Sequence, residues 1–457
     1  MSTMNPAIDK IRQATLSTPY EGKLFLVGGI VRDKVMGRPA TEDVDIVYEG
    51  DALELARFLH KKGVAEHRPV VYPRFGTAMV IVLDRPIELV SARRESYAPT
   101  SRKPDVELAT LYDDIMRRDF TINTLLENLH TGEILDLTGK GMEDIRAGII
   151  RTPTEPETTF YDDPLRMLRA IRFAVRFGFK IEDKTYDAIV RDAKRLAIIS
   201  KERIRDEFAK ILLSDDAPRG LRMLSETGLL AQFAPELLRM QGVEQSGGHI
   251  WDVWEHTLHA LETLQPDADL TLRLAVLFHD VGKPLTRADD PEDGIHFYGH
   301  EDIGAEITRR VLNKLRFPKR LVCRVVRLIS MHMRIGEYRS DWREAAVRRL
   351  MRDAGGDTAD LVELAKVDRL GANPHADIES IDELERRMED ILLKTLIVEL
   401  ESPLDGREIM ELLNLPPGPD VRKVKDFLTE EVIEGHLSPK DKESAKKLVL
   451  EKYGRYH

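Results

Sequence analysis

LFLVGGIVRD at 24–33 and EDVDIVYEG at 42–50 are the two stretches on which the fold turns. The first is an apolar run of strand length, then the paired glycines Gly28 and Gly29, then a helical pattern from Val31. Paired glycines let a ligand come close to the backbone, and a helix N-terminus offers unpaired N–H groups with a partial positive charge. A triphosphate suits such a turn, with Arg32 as a fixed cation in the first helical turn. The same pattern also serves a plain tight strand-to-helix turn. In the second stretch Asp43 and Asp45 stand two apart in a β-pattern, so both carboxylates belong to one strand face. Like charges that close repel unless a cation sits between them, and an oxygen-only pair suits Mg²⁺. Glu88, on the β-run RPIELVSARRE, is the candidate third carboxylate, as ligand or base. A lone DxD also occurs as solvated aspartates beside a strand end. A Gly-Gly turn followed within one helix and one loop by DxD is more specific.

Around these stretches, residues 20–150 hold the β-runs KLFLVGG, VDIVYEG, GTAMVIVL, PIELVSA and GEILDL, with the helical pattern DALELARFLHKKG between them. This reads as an α/β or α+β head, 1–150. From about Asp162 the β-runs stop, and DPLRMLRAIRFAVRF, KTYDAIVRDAKRLAII, KERIRDEFAKILL and APRGLRMLSETGLL repeat apolar residues at helical spacing, a neck over 151–240. QGVEQSGGHI reads as a linker. A histidine-rich helical block occupies 245–375, and a helical tail broken at NLPPGPD occupies 376–457.

Four such regions fit 457 residues, too long for one compact core. Hydrophobic residues at 42% and charged residues at 33% describe a globular chain. A formal net charge of −11 excludes a uniformly basic nucleic-acid coat but not a local basic face. The single cysteine, Cys323, excludes an intramolecular disulfide and a cysteine-based zinc site. The opening lacks the apolar core of a secretory signal, and no run of about 18 apolar residues occurs, so a cytoplasmic protein without a membrane partner is expected.

Three more patterns carry chemistry. RRDFTINTLL at 117–126 spaces Arg118, Asp119 and Asn123 as at a helix start, with Thr121 or Asp119 capping. Arginine takes phosphate bidentately, while Asp and Asn suit ribose hydroxyls; a surface Arg–Asp cluster is the plainer account. Next, Asp163, Arg166, Arg169, Arg172 and Arg176 recur at three- and four-residue spacings, expected on one helix face with Leu165, Leu168, Ile171 and Val175 on the other. Over 164–210 thirteen Lys/Arg stand against seven Asp/Glu, so polyanion contact belongs there rather than a merely solvated face. Finally, His256, His279, Asp280, His300, His332 and Asp368 recur on apolar helical stretches. Burying the adjacent His279-Asp280 pair without a ligand would be costly, and imidazole with carboxylate suits a divalent transition metal or Mg²⁺.

VGGIVRD, EDVDIV, RRDFTINT, LDLTGKGMEDI and DDPLRMLRAIRF, in that order, resemble the class II tRNA nucleotidyltransferases, which include CCA-adding enzymes and bacterial poly(A) polymerases. The likeness covers about 20–210 and, more loosely, the rest. It implies an α+β chain: a polymerase-β-like head, then an all-helical neck, a further domain and a helical tail. It further implies that Asp43 and Asp45 are metal ligands, that Gly29 and Arg32 meet the triphosphate, and that Arg118 and Asp119 act at phosphate and ribose. Asp163 and Arg166 would read the Watson–Crick edge of CTP or ATP in place of a template, with Arg169 and Arg172 beside them. The family motif begins Glu-Asp where this chain has Asp162-Asp163, one carbon shorter at the first position. The histidine block resembles the HD phosphohydrolases, whose metal ligands map to His256, His279, Asp280 and Asp368; His300 and His332 match the extra histidines of variants that hold more metal.

The resemblance thus implies addition of CCA to the 3′ end of tRNA by two-metal nucleotidyl transfer, the tail gripping tRNA or acting only as a packing module. CC-only or A-only addition and poly(A) synthesis are rivals of the same fold. An HD phosphodiesterase with an RNA-binding head is the rival of another class. The selecting loop in such enzymes falls within 91–114, with Arg93, Arg94, Arg102 and Lys103. The oligomeric state is left open.

Overall fold

A computed structural model describes residues 5–39, 43–96, 105–245, 250–290, 294–395 and 402–454. The chain divides into two compact units, Met1–Pro235 and Glu236–His457.

The first unit opens with α1 (Pro6–Thr15), β1 (Leu24–Val27), α2 (Gly29–Val35), β2 (Val44–Tyr48) and α3 (Ala52–Lys61). Strands β3 (Val70–Tyr72), β4 (Thr77–Val82) and β5 (Arg85–Ser91) follow, then the β6 (Arg93–Ser96) and β7 (Asp105–Leu108) pair, α4 (Leu111–Met116), β8 (Leu126–Asn128), β9 (Ile134–Leu135) and α5 (Gly141–Ala147). Seven strands form one sheet in the order β3-β4-β5-β2-β1-β8-β9, in which β2 and β5 run parallel and the other pairs antiparallel.

Period-two alternation sends β1 to both faces. Leu24 and Leu26 pack with α1, α2 and α3, while Phe25 and Val27 join Val47, Ile115 and Leu126 on the other side. Asp45 alternates with the core residues Val44 and Ile46, so it shares the second face with Val47 and lies in register with Glu88 of β5.

Two expectations change here. Asp43 precedes β2 instead of lying within it, though it keeps the parity of Asp45. RRDFTINTLL does not start a helix: a single 3₁₀ turn at Thr121–Asn123 leads straight into β8. Thr121 donates to Asp144 at 2.6 Å and its N–H to Arg151 O at 2.8 Å, while Leu126 and Glu127 pair with β1. Sheet pairing claims the backbone that a helix would need. The 91–114 segment is in part a β6–β7 hairpin; Arg102 and Lys103 lie outside the described residues.

After β10 (Ile149–Ile150), the neck comprises α6 (Pro156–Asp162), α7 (Leu165–Phe177), β11 (Lys180–Ile181), α8 (Asp183–Asp192), α9 (Lys201–Leu212) and α10 (Ala217–Glu226). It is helical except for the two-residue β11, which pairs in parallel with β10. Helix α7 is not two-faced as its spacing suggests. Met167, Ala170, Phe173, Ala174 and Phe177 are buried along with Leu165, Leu168, Ile171 and Val175, and so is Arg172.

After the short α11 (Pro235–Leu238), the second unit contains α12 (Val253–Thr263), α13 (Leu270–Phe278), α14 (Lys283–Thr286), the hairpin β12 (Ala288–Asp290) and β13 (Gly294–His296), and α15 (His300–Lys314). Then come α16 (Lys319–Gly336), α17 (Glu344–Ala354), α18 (Thr358–Ala372), α19 (Glu379–Thr395), α20 (Gly406–Leu413), α21 (Pro419–Ile433) and α22 (Lys442–Tyr453). The last three helices share a small core around Leu404, Ile409, Val424, Leu428 and Val449. Glu430 of α21 pairs with Arg349 and Arg352 of α17, tying that core to its neighbour. No helix among the described residues is long and apolar enough to cross a membrane.

Candidate active site and candidate metal centre

Gly28 ends β1 with φ +79 and ψ −134, a backbone conformation that essentially only glycine tolerates. A β-carbon built there would lie 3.6 Å from Arg118 Nη1 and 3.9 Å from Asp45 Oδ2. The Gly-Gly turn, the DxD strand and the RRDF segment therefore meet at one point, as their chemistry requires. Burial first, then the neighbouring Glu88 and Asp43, push the Asp45 carboxyl up to about 6 against the pull of Arg118. A carboxylate whose ionised form is penalised in this way fits a bound cation, which would stabilise that form. Among the described residues, however, the acidic groups Asp43, Asp45 and Glu88 do not bring three ligand atoms together within 4.8 Å. Asp43 and Glu88 are exposed and Asp45 half-buried, so the site is open on one side.

A polar chain runs from this point to α7 and α9. Arg32, buried beneath Phe173 and Phe177, donates to Asp33 at 2.8 Å and to Asn123 Oδ1 at 2.7 Å. Asn123 donates to Asp119 at 3.0 Å, and Asp119 accepts both Nε and Nη2 of Arg169 at 2.8 and 2.6 Å. Burial alone would raise the Asp119 carboxyl; Arg169 and Asn123 outweigh it and hold the group below the usual carboxylate range. Arg172 pairs with buried Glu207 of α9 at 3.1 Å; burial lowers its guanidinium to about 10 despite that partner. Arg118 shares the fully buried Asp114 with Arg117 and so reaches the Gly28 turn from a fixed base.

Asp163 and Arg166 flank the start of α7. Asp163 sits between α6 and α7, outside both, and accepts from Leu165 N at 3.1 Å and from Arg203 of α9 at 2.6 Å. Arg166 donates to Arg117 O at 2.6 Å.

The second unit holds a tighter assembly. His256, His279, Asp280 and Asp368 offer ligand atoms within 4.8 Å of one another, and Asp280 forms a second such group with His300 and His332. His279 and Asp280 follow α13 directly; His256 comes from α12, Asp368 from α18, His300 from the first residue of α15 and His332 from α16. Gly282 makes the approach of α15 feasible: a β-carbon there would lie 2.1 Å from His300 O.

Nδ1 of His279, His300 and His332 lies 2.8, 2.7 and 2.6 Å from the carbonyls of Val276, Phe297 and Ile329. A carbonyl only accepts, so each Nδ1 donates, and each Nε2 of a neutral ring is a lone pair aimed inward. Nε2 of His256 faces Nε2 of His279 at 3.2 Å, and His300 faces His332 at the same distance. Such pairs demand protons or cations between them. In their absence burial would lower His279, but Asp280 and Asp368 outweigh it and raise it to about 10. Burial and the charge on His279 instead drop His332 to about 4. The donor set of imidazoles and carboxylates therefore fits divalent metal, with Asp280 placed to serve both groups. A cavity of about 340 Å³ opens on His332 and Asp368, lined also by Met333, Arg369, Asn373 and Ile381.

The profile described as "Poly A polymerase head domain" matches 24–151, "Probable RNA and SrmB- binding site of polymerase A" matches 178–240, and "HD domain" matches 247–373. A Thermus thermophilus chain named CC-adding tRNA nucleotidyltransferase is 37% identical over 432 residues, 92% of this chain and 92% of its own. This chain belongs to the tRNA nucleotidyltransferase family. A Deinococcus radiodurans relative named A-adding tRNA nucleotidyltransferase is 35% identical and aligns over 90% of this chain and 92% of its own. The crystal structure of the Bacillus stearothermophilus CCA-adding enzyme with CTP superposes with TM-score 0.71 at 25% identity, covering 99% of each chain. Nucleotidyltransferases and HD domains of these families use divalent metals.

Within this nucleotidyltransferase, four residues of the two polar systems were not singled out in the sequence. Arg203 and Glu207 find their partners across the fold, while Asp33 pairs with its chain neighbour Arg32. Asp114 stands three and four residues before Arg117 and Arg118, an ion-pair spacing that could have been read.

Proposed function

We propose that this enzyme adds C, C and A from CTP and ATP to the tRNA 3′ end without a nucleic-acid template, in the cytoplasm. The observation that supports the reading best is the convergence of Gly28, Asp45 and Arg118 at one point. The roles follow from the chemistry of the groups. Asp43 and Asp45 would hold Mg²⁺, which supplies charge neutralisation at the phosphates and a lowered pKa for the attacking 3′-hydroxyl. Glu88, in register with Asp45 on the adjacent strand, would serve as a further ligand or as the base. Gly28 and Gly29 leave the backbone open to the triphosphate, and Arg118, fixed by Asp114, neutralises it. Arg32 lies in the buried chain that holds Asn123 and Asp119, so we assign it to positioning that chain, with Asp119 and Asn123 placed for the ribose. Asp163 and Arg166 read the base, a carboxylate accepting from the exocyclic amine and a guanidinium donating to ring acceptors. Arg169 and Arg172 hold Asp119 and Glu207 and thereby the reading helix.

We take the head as 1–150, the neck as 151–240, the HD domain as 245–375 and a tRNA-binding tail as 376–457. His256, His279, Asp280 and Asp368, with His300 and His332, would hold divalent transition metal or Mg²⁺, which supplies an activated water for phosphoester hydrolysis. A 2′,3′-cyclic phosphate end, which leaves no free 3′-hydroxyl to extend, suits such an activity. A second reading, addition of CC alone or A alone, is favoured by the names of the two relatives that align over 92% and 90% of this chain. The test offers tRNA transcripts ending at the discriminator base, after C and after CC, each with CTP, ATP or both. Complete CCA on the first transcript is expected. Extension that stops at CC, or that occurs only on the CC-ended transcript, overturns it in favour of the partial activities.

A further inference from the structure

We propose that Arg203 is a specificity-determining residue, a stand-in for the nucleobase amine at the reading carboxylate of Asp163. The inference rests on the assignment of Asp163 as a base reader. Arg203 donates through Nη2 to Asp163 Oδ2 at 2.6 Å and through Nη1 to Oδ1 at 3.4 Å. Two coplanar N–H donors thus occupy the acceptor edge that the exocyclic amine of cytosine or adenine would use. Asp163 needs no such partner to keep its orientation, because its Oδ1 also takes the N–H of Leu165 at the start of α7. That N–H, at the N-terminus of the helix behind it, keeps the carboxylate in place when the guanidinium leaves.

Helix energetics do not account for Arg203. It lies in the first turn of α9, where a cation opposes the helix dipole, so its position answers to Asp163. The pair is also built to exchange. The side chains of Arg203 and Asp163 are 43% and 21% exposed, in contrast to the pair of Arg172 and Glu207, the latter one turn further along α9, at 11% and 6%. An exposed pair of this kind shifts an equilibrium by only about 1.5- to 5-fold, enough to be displaced by a base that returns an N–H donor. Uracil presents a carbonyl where cytosine presents the amine. It cannot repay the lost contact, so the exchange favours cytosine.

The test measures equilibrium binding of CTP and UTP to the full-length protein, wild type against Arg203→Ala, Arg203→Lys, Asp163→Ala and the double variant. Arg203→Ala should tighten CTP by about 2- to 5-fold and leave UTP unchanged, raising the CTP/UTP preference by that factor. Arg203→Lys, a point charge without the planar fork, should fall between. In the Asp163→Ala background, removing Arg203 should change neither nucleotide. Weaker CTP binding by Arg203→Ala, or an equal shift for CTP and UTP, overturns the placeholder and leaves Arg203 as a strut or a general cation. Retained CTP preference in Asp163→Ala overturns the base-reading assignment itself, whatever Arg203 does. Should Arg203→Ala fail to fold, Arg203→Gln carries the same comparison, with the two nucleotides read against each other in one preparation.

Discussion

The carboxylate site of the first unit and the histidine site of the second both suit divalent metal, but they are prepared for it to different degrees. Around Asp45 the acidic groups are open to solvent on one side and do not close into a three-ligand set among the described residues. Around Asp280, four histidines and two aspartates from five helical elements converge, with three rings already oriented by backbone carbonyls. A site that receives its cation with a polyphosphate must stay open, because the phosphate oxygens complete the coordination. A site that keeps its cation is assembled in advance, and the fold carries the cost of bringing its charges together.

The largest test of this contrast is Asp45→Ala. Loss of this half-buried carboxylate should cost several kcal/mol of transition-state stabilisation, roughly 10³-fold or more in single-turnover nucleotide incorporation. Bound metal at the histidine site should remain. Near-normal turnover would remove Asp45 from the metal site. Asp280→Ala is the mirror experiment: metal retained after dialysis, read by elemental analysis, should fall by at least the 10- to 100-fold seen for lesser perturbations of metal sites. Nucleotide addition should persist, and its loss together with the metal would mean that the two centres are not independent.

The pH dependence should separate the sites further. His279 has its pKa raised to about 10 in the metal-free cluster. The stability this lends is fully present below about 6.5 and is lost as pH rises through about 10. Metal must displace that proton, so affinity at the histidine site should climb about tenfold per pH unit between about 7 and 9. Asp45, raised only to about 6, competes with a proton just below that pH, so the Mg²⁺ requirement for addition should be flat above it. Titrations of metal affinity and of Mg²⁺-dependent rate against pH check both; identical profiles would abolish the distinction. The smallest effect is expected for Gly28→Ala. Its contacts are ordinary van der Waals distances, so the penalty is chiefly backbone strain, about 1–3 kcal/mol. Thermal unfolding should register it, with KM for the triphosphate rising more than kcat falls.

Legibility in the sequence followed from where each interaction is local. The Gly-Gly turn, the parity of Asp43 and Asp45 and the adjacent His279-Asp280 pair lie within a few residues, so spacing revealed them. The helical reading of RRDFTINTLL failed because the decisive partners of Thr121 and Leu126 lie elsewhere, at Asp144, Arg151 and β1. Spacing puts the arginines of α7 on one face, yet Arg172 is buried with Glu207 and Arg169 is bound to Asp119 fifty residues away.

By itself, then, the order of residues determined the α+β head, the helical remainder, the residue types gathered at both candidate sites and the family, since these depend on period, residue chemistry and motif order. Only the tertiary structure decided how far each carboxylate is ionised, which arginines are spent on internal partners, and that Asp280 stands between two metal-ligand groups while Arg203 covers Asp163. Those are properties of distance and solvent exclusion, and both arise when segments far apart in the chain are packed against one another.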